Sequence, residues 1–194
     1  MAVRAVVFDV GETLVDETGM WERAADAAAI PRFTLMGVLG GLAARGEHHS
    51  EVWEILGIEP ASSTWGPDDF YGDALPCLQA LRHSGLLVGA AGNVPAGYEE
   101  PLREHVDFLG SSGLWGIEKP AQGFFTRLAA EAGLAVSKIA YVGDRVDNDV
   151  EPALAAGMVA VHVRRGPWGH LHQPPPAAIR IRSLGELPEA LNLA

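Results

Sequence analysis

Three polar residues stand just after apolar runs and a lysine stands before a helical pattern, and their types could together hold a cation and an anion. Asp9 follows VRAVVF (3–8), Asn93 follows LLVGAA (86–91) and Gly92, and Asp144 follows IAYVG (139–143). Lys119 lies in GIEKP (116–120), ahead of an amphipathic segment. Asp or Asn after a strand is ordinarily a turn former. If the runs are neighbouring strands of one parallel sheet, however, these groups meet at its carboxyl edge, where open α/β sheets bind ligands. Two carboxylates there repel unless something neutralises them. Mg²⁺ does so, because it favours one or two carboxylates, waters and phosphate oxygens. Lys119 would add a positive charge facing an anionic substrate. A carboxylate in that field can attack phosphorus and form an acyl phosphate.

The elements needed to position these groups are legible. VRAVVF is β-branched and apolar and reads as a strand buried on both faces. VAVHV (159–163) is another such run, VDFLG (106–110) is weaker, and AIRIR (178–182) reads as an edge strand. Helical patterns cover 73–84, 121–132 and 149–156, stopping at Gly85, Gly133 and Gly157. Strand and helix alternate, which specifies an α/β fold with a mostly parallel sheet and helices on both faces. Residues 17–72 break the alternation with helical periods and no strand candidate. The expected organisation is a Rossmann-like core of 1–16 and 73–194, with a small helical cap of 17–72 inserted after the first strand. PPP (174–176) is a stiff connector before the last strand.

Composition narrows the function classes. Lys and Arg number 14 against 25 Asp and Glu, a net charge of −11. That balance argues against nucleic-acid and anionic-membrane partners. A bound cation can still invert the local sign for a phosphorylated substrate. The single cysteine, Cys77, forms no intramolecular disulfide and sits in an apolar helical pattern, as a core residue would. Residues 1–8 are too short for a secretory signal, and no apolar run reaches membrane-span length, so a cytoplasmic location is expected. The oligomeric state is left open.

FDVGETLVD (8–16), AAGN (90–93), GIEKP (116–120) and YVGDRVDNDVEPALAAGM (141–158) resemble, in order, the four motifs of the haloacid dehalogenase-like hydrolase superfamily. The resemblance implies roles. Asp9 would be nucleophile and metal ligand. The Gly11 carbonyl, Asp144 and Asp149 would complete the protein ligands to Mg²⁺. Lys119 would orient Asp9 and stabilise the transferred phosphoryl group, with Gly92 and Asn93 also facing the substrate. The implied activity is a Mg²⁺-dependent phosphohydrolase working through an aspartyl-phosphate on a small phosphorylated metabolite.

Two positions depart from the family pattern. Gly11 stands where such phosphatases usually carry an acid–base Asp, whose contribution is roughly 10²–10⁴-fold. Gly92 stands where a Ser or Thr hydroxyl usually meets the phosphate. Glu12 and Asp16 are the candidates for a substitute acid, although Glu12 is expected to point elsewhere. On this basis Gly11→Asp is expected to raise aryl phosphatase activity. The same departures favour a competing reading, a low-activity or non-catalytic regulatory module that keeps the metal and anion site. A haloacid dehalogenase is a third reading, opposed by the metal-binding look of Asp144 and Asp149. Simpler roles are expected elsewhere. His48 and His49 read as a solvated loop, and Trp21, Trp53 and Trp65 as packing residues of the insertion. Phe33, Leu35, Met36 and Leu39 form an apolar stripe suited to a core, and Arg164 and Arg165 read as surface residues.

Overall fold

Period-two alternation in the first strand separates two apolar faces. In β1 (Ala5–Phe8), Val6 and Phe8 point to one side and Ala5 and Val7 to the other, and all four are fully buried. The computed structural model describes residues 2–61 and 63–192. Met1, Ser62, Leu193 and Ala194, which the expected core and cap include, lie outside the described residues. Five further strands are β2 (Leu87–Gly92), β3 (Phe108–Ser111), β4 (Ile139–Gly143), β5 (Val159–Val163) and β6 (Ile179–Ile181). They form one sheet in the order β3-β2-β1-β4-β5-β6, with every pair parallel. The weak run at 106–110 thus supplies one edge strand, and AIRIR supplies the other.

Three helices follow β1: α1 (Thr18–Ala27), α2 (Arg32–Arg45) and α3 (Val52–Leu56). The others are α4 (Ala74–His83), α5 (Ser112–Trp115), α6 (Gln122–Ala132), α7 (Glu151–Ala155), α8 (Gly166–Leu171) and α9 (Leu187–Ala190). Phe8, Val88, Leu78, Leu81, Leu184 and Leu187 fill the layer between the sheet and α4 and α9. Val7, Tyr141, Phe124, Phe125, Leu128 and Ala153 fill the opposite layer against α6 and α7. Helices therefore cover both faces of a Rossmann-like sheet. A third cluster, with Ala25, Leu35, Leu39, Leu42, Val52 and Trp53, packs α1, α2 and α3 against one another. The apolar stripe of α2 is narrower than expected. Leu35 and Leu39 are buried and Met36 is partly buried, but Phe33 is 89% exposed in the first turn, beyond the reach of α1 and α3. Among the described residues, no helix is long and apolar enough to cross a membrane.

The expected helix at 149–156 is shorter. A wide turn precedes it, with Val150 N donating to the Arg145 carbonyl at 3.1 Å. The cause is Asp149, whose Oδ2 accepts from Arg145 N at 2.9 Å and folds the chain back. The helix proper, α7, then starts with Pro152 in its first turn, where a missing N–H costs nothing.

Candidate active site

The strand order brings the sequence-distant groups to one rim. β1 and β4 are neighbours at the point where the order reverses, which opens a crevice beyond their carboxyl ends. Asp9 N donates to the Val142 carbonyl at 2.8 Å, so Asp9 stands on the last rung of β1. Asp144 follows β4 directly. Asp9, Asp144 and Asp149 each place a carboxylate oxygen within 4.8 Å of the others. All three are buried, as is Lys119. The Lys119 ammonium donates to Asp9 Oδ1 and to Asp149 Oδ1, each at 2.6 Å, and lies 5.6 Å above the Tyr141 ring.

Asn93 fixes this lysine from behind. Its Nδ2 donates to the Lys119 carbonyl and its Oδ1 accepts from Lys119 N, both at 2.8 Å. Both side-chain polar atoms are thereby engaged, and the residue ties the 116–120 loop to the end of β2. The two glycines of the rim have steric reasons. A Cβ on Gly92 would stand 2.6 Å from Asp9 Oδ1, so a hydroxyl side chain there would push Asp9 away from Lys119. A Cβ on Gly143 would meet Asp149, its own Cβ 2.5 Å away, so only glycine lets Asp149 close in.

Charge in the cleft is unbalanced. Three carboxylates face one ammonium. Burial, with the charges of Asp149 and Asp9, pushes the Asp144 carboxyl well above the usual range. Burial raises Asp149 to about 6, with Lys119 opposing and the Asp9 charge adding. Burial alone would lower Lys119, but the Asp149 and Asp9 carboxylates more than offset it and hold the amine well above its ordinary value. An all-oxygen donor set with excess negative charge fits a hard divalent cation, and Gly11 lines the same cleft.

The loop after β1 departs most from the sequence reading. Glu12 has a left-handed backbone (φ 51°) and is among the residues that line the cleft. Its Oε2 accepts from the Tyr71 hydroxyl at 2.6 Å, and its Oε1 accepts from Glu17 N at 3.1 Å. Burial raises its carboxyl, against the Tyr71 and Glu17 hydrogen bonds. Glu17, unremarked in the sequence, returns to Gly11. Its Cδ lies 2.9 Å from the point where a Cβ on Gly11 would stand, with Oε1 closer still. An Asp at position 11 would therefore meet the end of the Glu17 side chain, which would have to swing aside to admit it. Burial and the Glu12 charge push Glu17 up to about 7, while the Trp21 indole, donating to its Oε2 at 3.2 Å, opposes this.

Two other expectations change. Arg165 is buried rather than superficial. It donates to the Thr13 carbonyl at 2.8 Å and to Asp73, and lies 4.3 Å above the Tyr71 ring, locking the first loop to α4. His49 is not a solvated loop residue. It lies edge-on to Trp168 and Trp21, and burial lowers it to about 4. Trp21 packs against the helical cluster as expected, and its indole also donates to Glu17. Arg145, 5.1 Å from the Trp168 ring, completes the mouth of a cleft of about 560 Å³ that contains Asp9, Lys119 and Asp144. A larger groove beside α4, lined by Leu75, Arg82 and Leu87, opens at the amino end of β2, away from these carboxylates.

Comparison with known proteins agrees with this geometry. A family model described as HAD-hydrolase-like matches residues 116–186. Glyceraldehyde 3-phosphate phosphatase of Methanopyrus kandleri is 35% identical over 107 residues, covering 50% of this chain and 45% of that protein. The protein of the same name from Methanocaldococcus jannaschii is 30% identical over 123 residues, covering 60% and 54%. The chain thus spans about half the length of the curated relatives it matches. The magnesium-bound HAD-hydrolase YfnB of Bacillus subtilis superposes over 100% of both chains with a TM-score of 0.75 at 16% identity, a likeness of fold. The matched stretch carries Lys119 and Asp144, so residues 116–186 are similar to the HAD-like hydrolases, and the likeness to the solved structure shows a shared fold over the whole chain.

Proposed function

We propose that the protein is a Mg²⁺-dependent phosphohydrolase that transfers a phosphoryl group first to Asp9 and then to water. The observation that carries this reading is the Asp9 carboxylate, aligned by the Lys119 ammonium beside Asp144 and Asp149. Asp9, the Gly11 carbonyl, Asp144 and Asp149 would hold the ion. The ion, when bound, supplies positive charge to the phosphoryl oxygens. Asp9 Oδ1 is held by Lys119, which leaves Oδ2 to attack phosphorus. Lys119 also stabilises the charge that develops on the transferred group. Backbone N–H groups at Gly92 and Asn93 would receive the phosphate, while the Asn93 side chain positions Lys119.

In this reading residues 17–72 are a small cap over a core of 1–16 and 73–194, and they supply Glu17 and His49 to the cleft. A small phosphorylated metabolite suits a cleft of about 560 Å³, and the net charge of −11 speaks against a nucleic-acid partner. The names of the curated relatives make glyceraldehyde 3-phosphate the first substrate to try.

Phosphate release from glyceraldehyde 3-phosphate, an aryl phosphate and acetyl phosphate tests the reading, with Mg²⁺ or EDTA, in wild type and Asp9→Asn. Turnover that needs the metal and vanishes in Asp9→Asn is expected. A second reading, a metal- and anion-binding regulatory module, is favoured by the absence of side chains at Gly11 and Gly92. Mg²⁺ binding without turnover of any of these phosphates would establish it instead.

A further inference from the structure

We propose that Glu17 is the acid–base catalytic residue of this site, its carboxyl group standing where a side chain at position 11 would otherwise project. This rests on the phosphohydrolase reading and adds to it the group that moves the proton. The loop after β1 makes the placement possible. Thr13, Leu14 and Val15 all turn their N–H groups onto the Val10 carbonyl, and Glu12 takes a left-handed backbone. The chain reverses, Gly11 bridges to Val15, and Glu17 comes back over the missing side chain. Its Cδ lies 2.9 Å from the ideal Cβ position of Gly11, so it approaches the cleft from the direction a residue-11 side chain would take.

Hydrogen bonding singles Glu17 out among the three acids of the loop. Glu12 has both oxygens engaged, one by the Tyr71 hydroxyl and one by Glu17 N. Asp16 caps Thr18 N at 2.9 Å and does not line the cleft. Glu17 is held at Oε2 by the Trp21 indole at 3.2 Å, and among the described residues no donor engages Oε1. Glu17 lines the cleft shared with Asp9 and Lys119. Glu12, Tyr71 and Trp21 are positioning residues for it.

The steps balance. Asp9 Oδ2 bonds to phosphorus as the bond to the leaving oxygen breaks, and that oxygen takes its electron pair and the proton of the Glu17 carboxyl. Glu17, now a carboxylate, removes a proton from the water that attacks phosphorus. The phosphorus–Asp9 bond breaks with its pair returning to Asp9, and phosphate departs with Glu17 protonated again.

Leaving-group dependence tests this, because a residue with only a structural role would slow all substrates alike. Glu17→Gln keeps the size and the Trp21 contact. With Mg²⁺, it should lower kcat/KM for an alkyl phosphate by roughly 10²–10³-fold, and for acetyl phosphate by less than about 10-fold, since a carboxylate leaves without a proton. The phospho-Asp9 species should accumulate after acid quench of Glu17→Gln turning over acetyl phosphate. The double variant Gly11→Asp, Glu17→Ala should recover alkyl phosphate turnover, and it carries the test if Glu17→Gln does not fold. An equal loss on both substrates, or none, overturns the role of Glu17 alone, provided the wild type is active and Asp9→Asn is not. A wild type that binds Mg²⁺ but hydrolyses neither phosphate overturns the phosphohydrolase reading and this role together.

Discussion

Two acids of the cleft shape how the site responds to pH. Burial, which disfavours their charged forms, pushes Asp149 up to about 6 and Glu17 up to about 7, above the ordinary carboxylate range. A carboxyl whose folded value lies above its unfolded one contributes stability below the unfolded value and loses it as pH rises through the folded one. The metal-free protein should therefore lose stability from these groups between about pH 4 and 7. A cation that binds only the folded state reverses the loss, and more so when more carboxylates are ionised. The rise in Tm produced by Mg²⁺ over EDTA should thus grow from about pH 5 to pH 8; calorimetry showing a flat or shrinking rise would contradict the charge balance described here. At this scale the sequence is legible where a polar residue ends an apolar run, as for Asp9, Asp144 and Asn93. Glu17 is not legible in that way. Its place depends on an absent side chain six positions earlier and on a turn that no periodicity encodes.

The loop elements, more than the strands, decide whether the rim works. Asn93 joins the end of β2 to the 116–120 loop through two hydrogen bonds to the Lys119 backbone. Asn93→Ala removes both and leaves a buried N–H and C=O to find water, at a cost of about 1–3 kcal/mol. Urea denaturation should register that loss. Phosphate release should fall roughly 10-fold or more as Lys119 drifts from Asp9, while Mg²⁺ affinity, set by the carboxylates, should change little. Unchanged turnover would mean that the loop is held by other contacts. The strands themselves were readable, because VRAVVF and IAYVG are apolar throughout and central strands need exactly two dry faces. The stretch at 146–150 was not, since Asp149 bends it by reaching back to Arg145 N, a hydrogen bond that helical spacing does not foretell.

At the scale of the whole molecule, the helices after β1 and the sheet meet around one indole. Trp168, on α8, lies under Arg145 and edge-on to His49, and the neighbouring His172 ring is 2.8 Å from the Ala43 carbonyl of α2. Filling the cleft with Mg²⁺ and orthovanadate should alter the polarity around Trp168 and shift the intrinsic fluorescence. Trp168→Phe should remove most of that shift; an undiminished shift would assign it to Trp21 or Trp53 instead. The alternation of strand and helix announced the layered core, and the break at 17–72 announced a separate helical segment. Which of its residues reach the cleft was hidden, because His48 and His49 carry no ligand-like spacing and enter only through the path of the chain.

Cys77 gives this chain an internal clock. It is the one thiol, on the buried side of α4 and 6% exposed, and burial with the Asp73 charge pushes it up to about 12, so the reactive thiolate is scarce in the folded protein. A coloured disulfide reagent must wait for α4 to lift from the sheet, and its rate of reaction counts those openings. Labelling should slow when Mg²⁺ and vanadate are added together, without any engineered probe. Labelling as fast as that of an unfolded control would show that α4 is not seated as described.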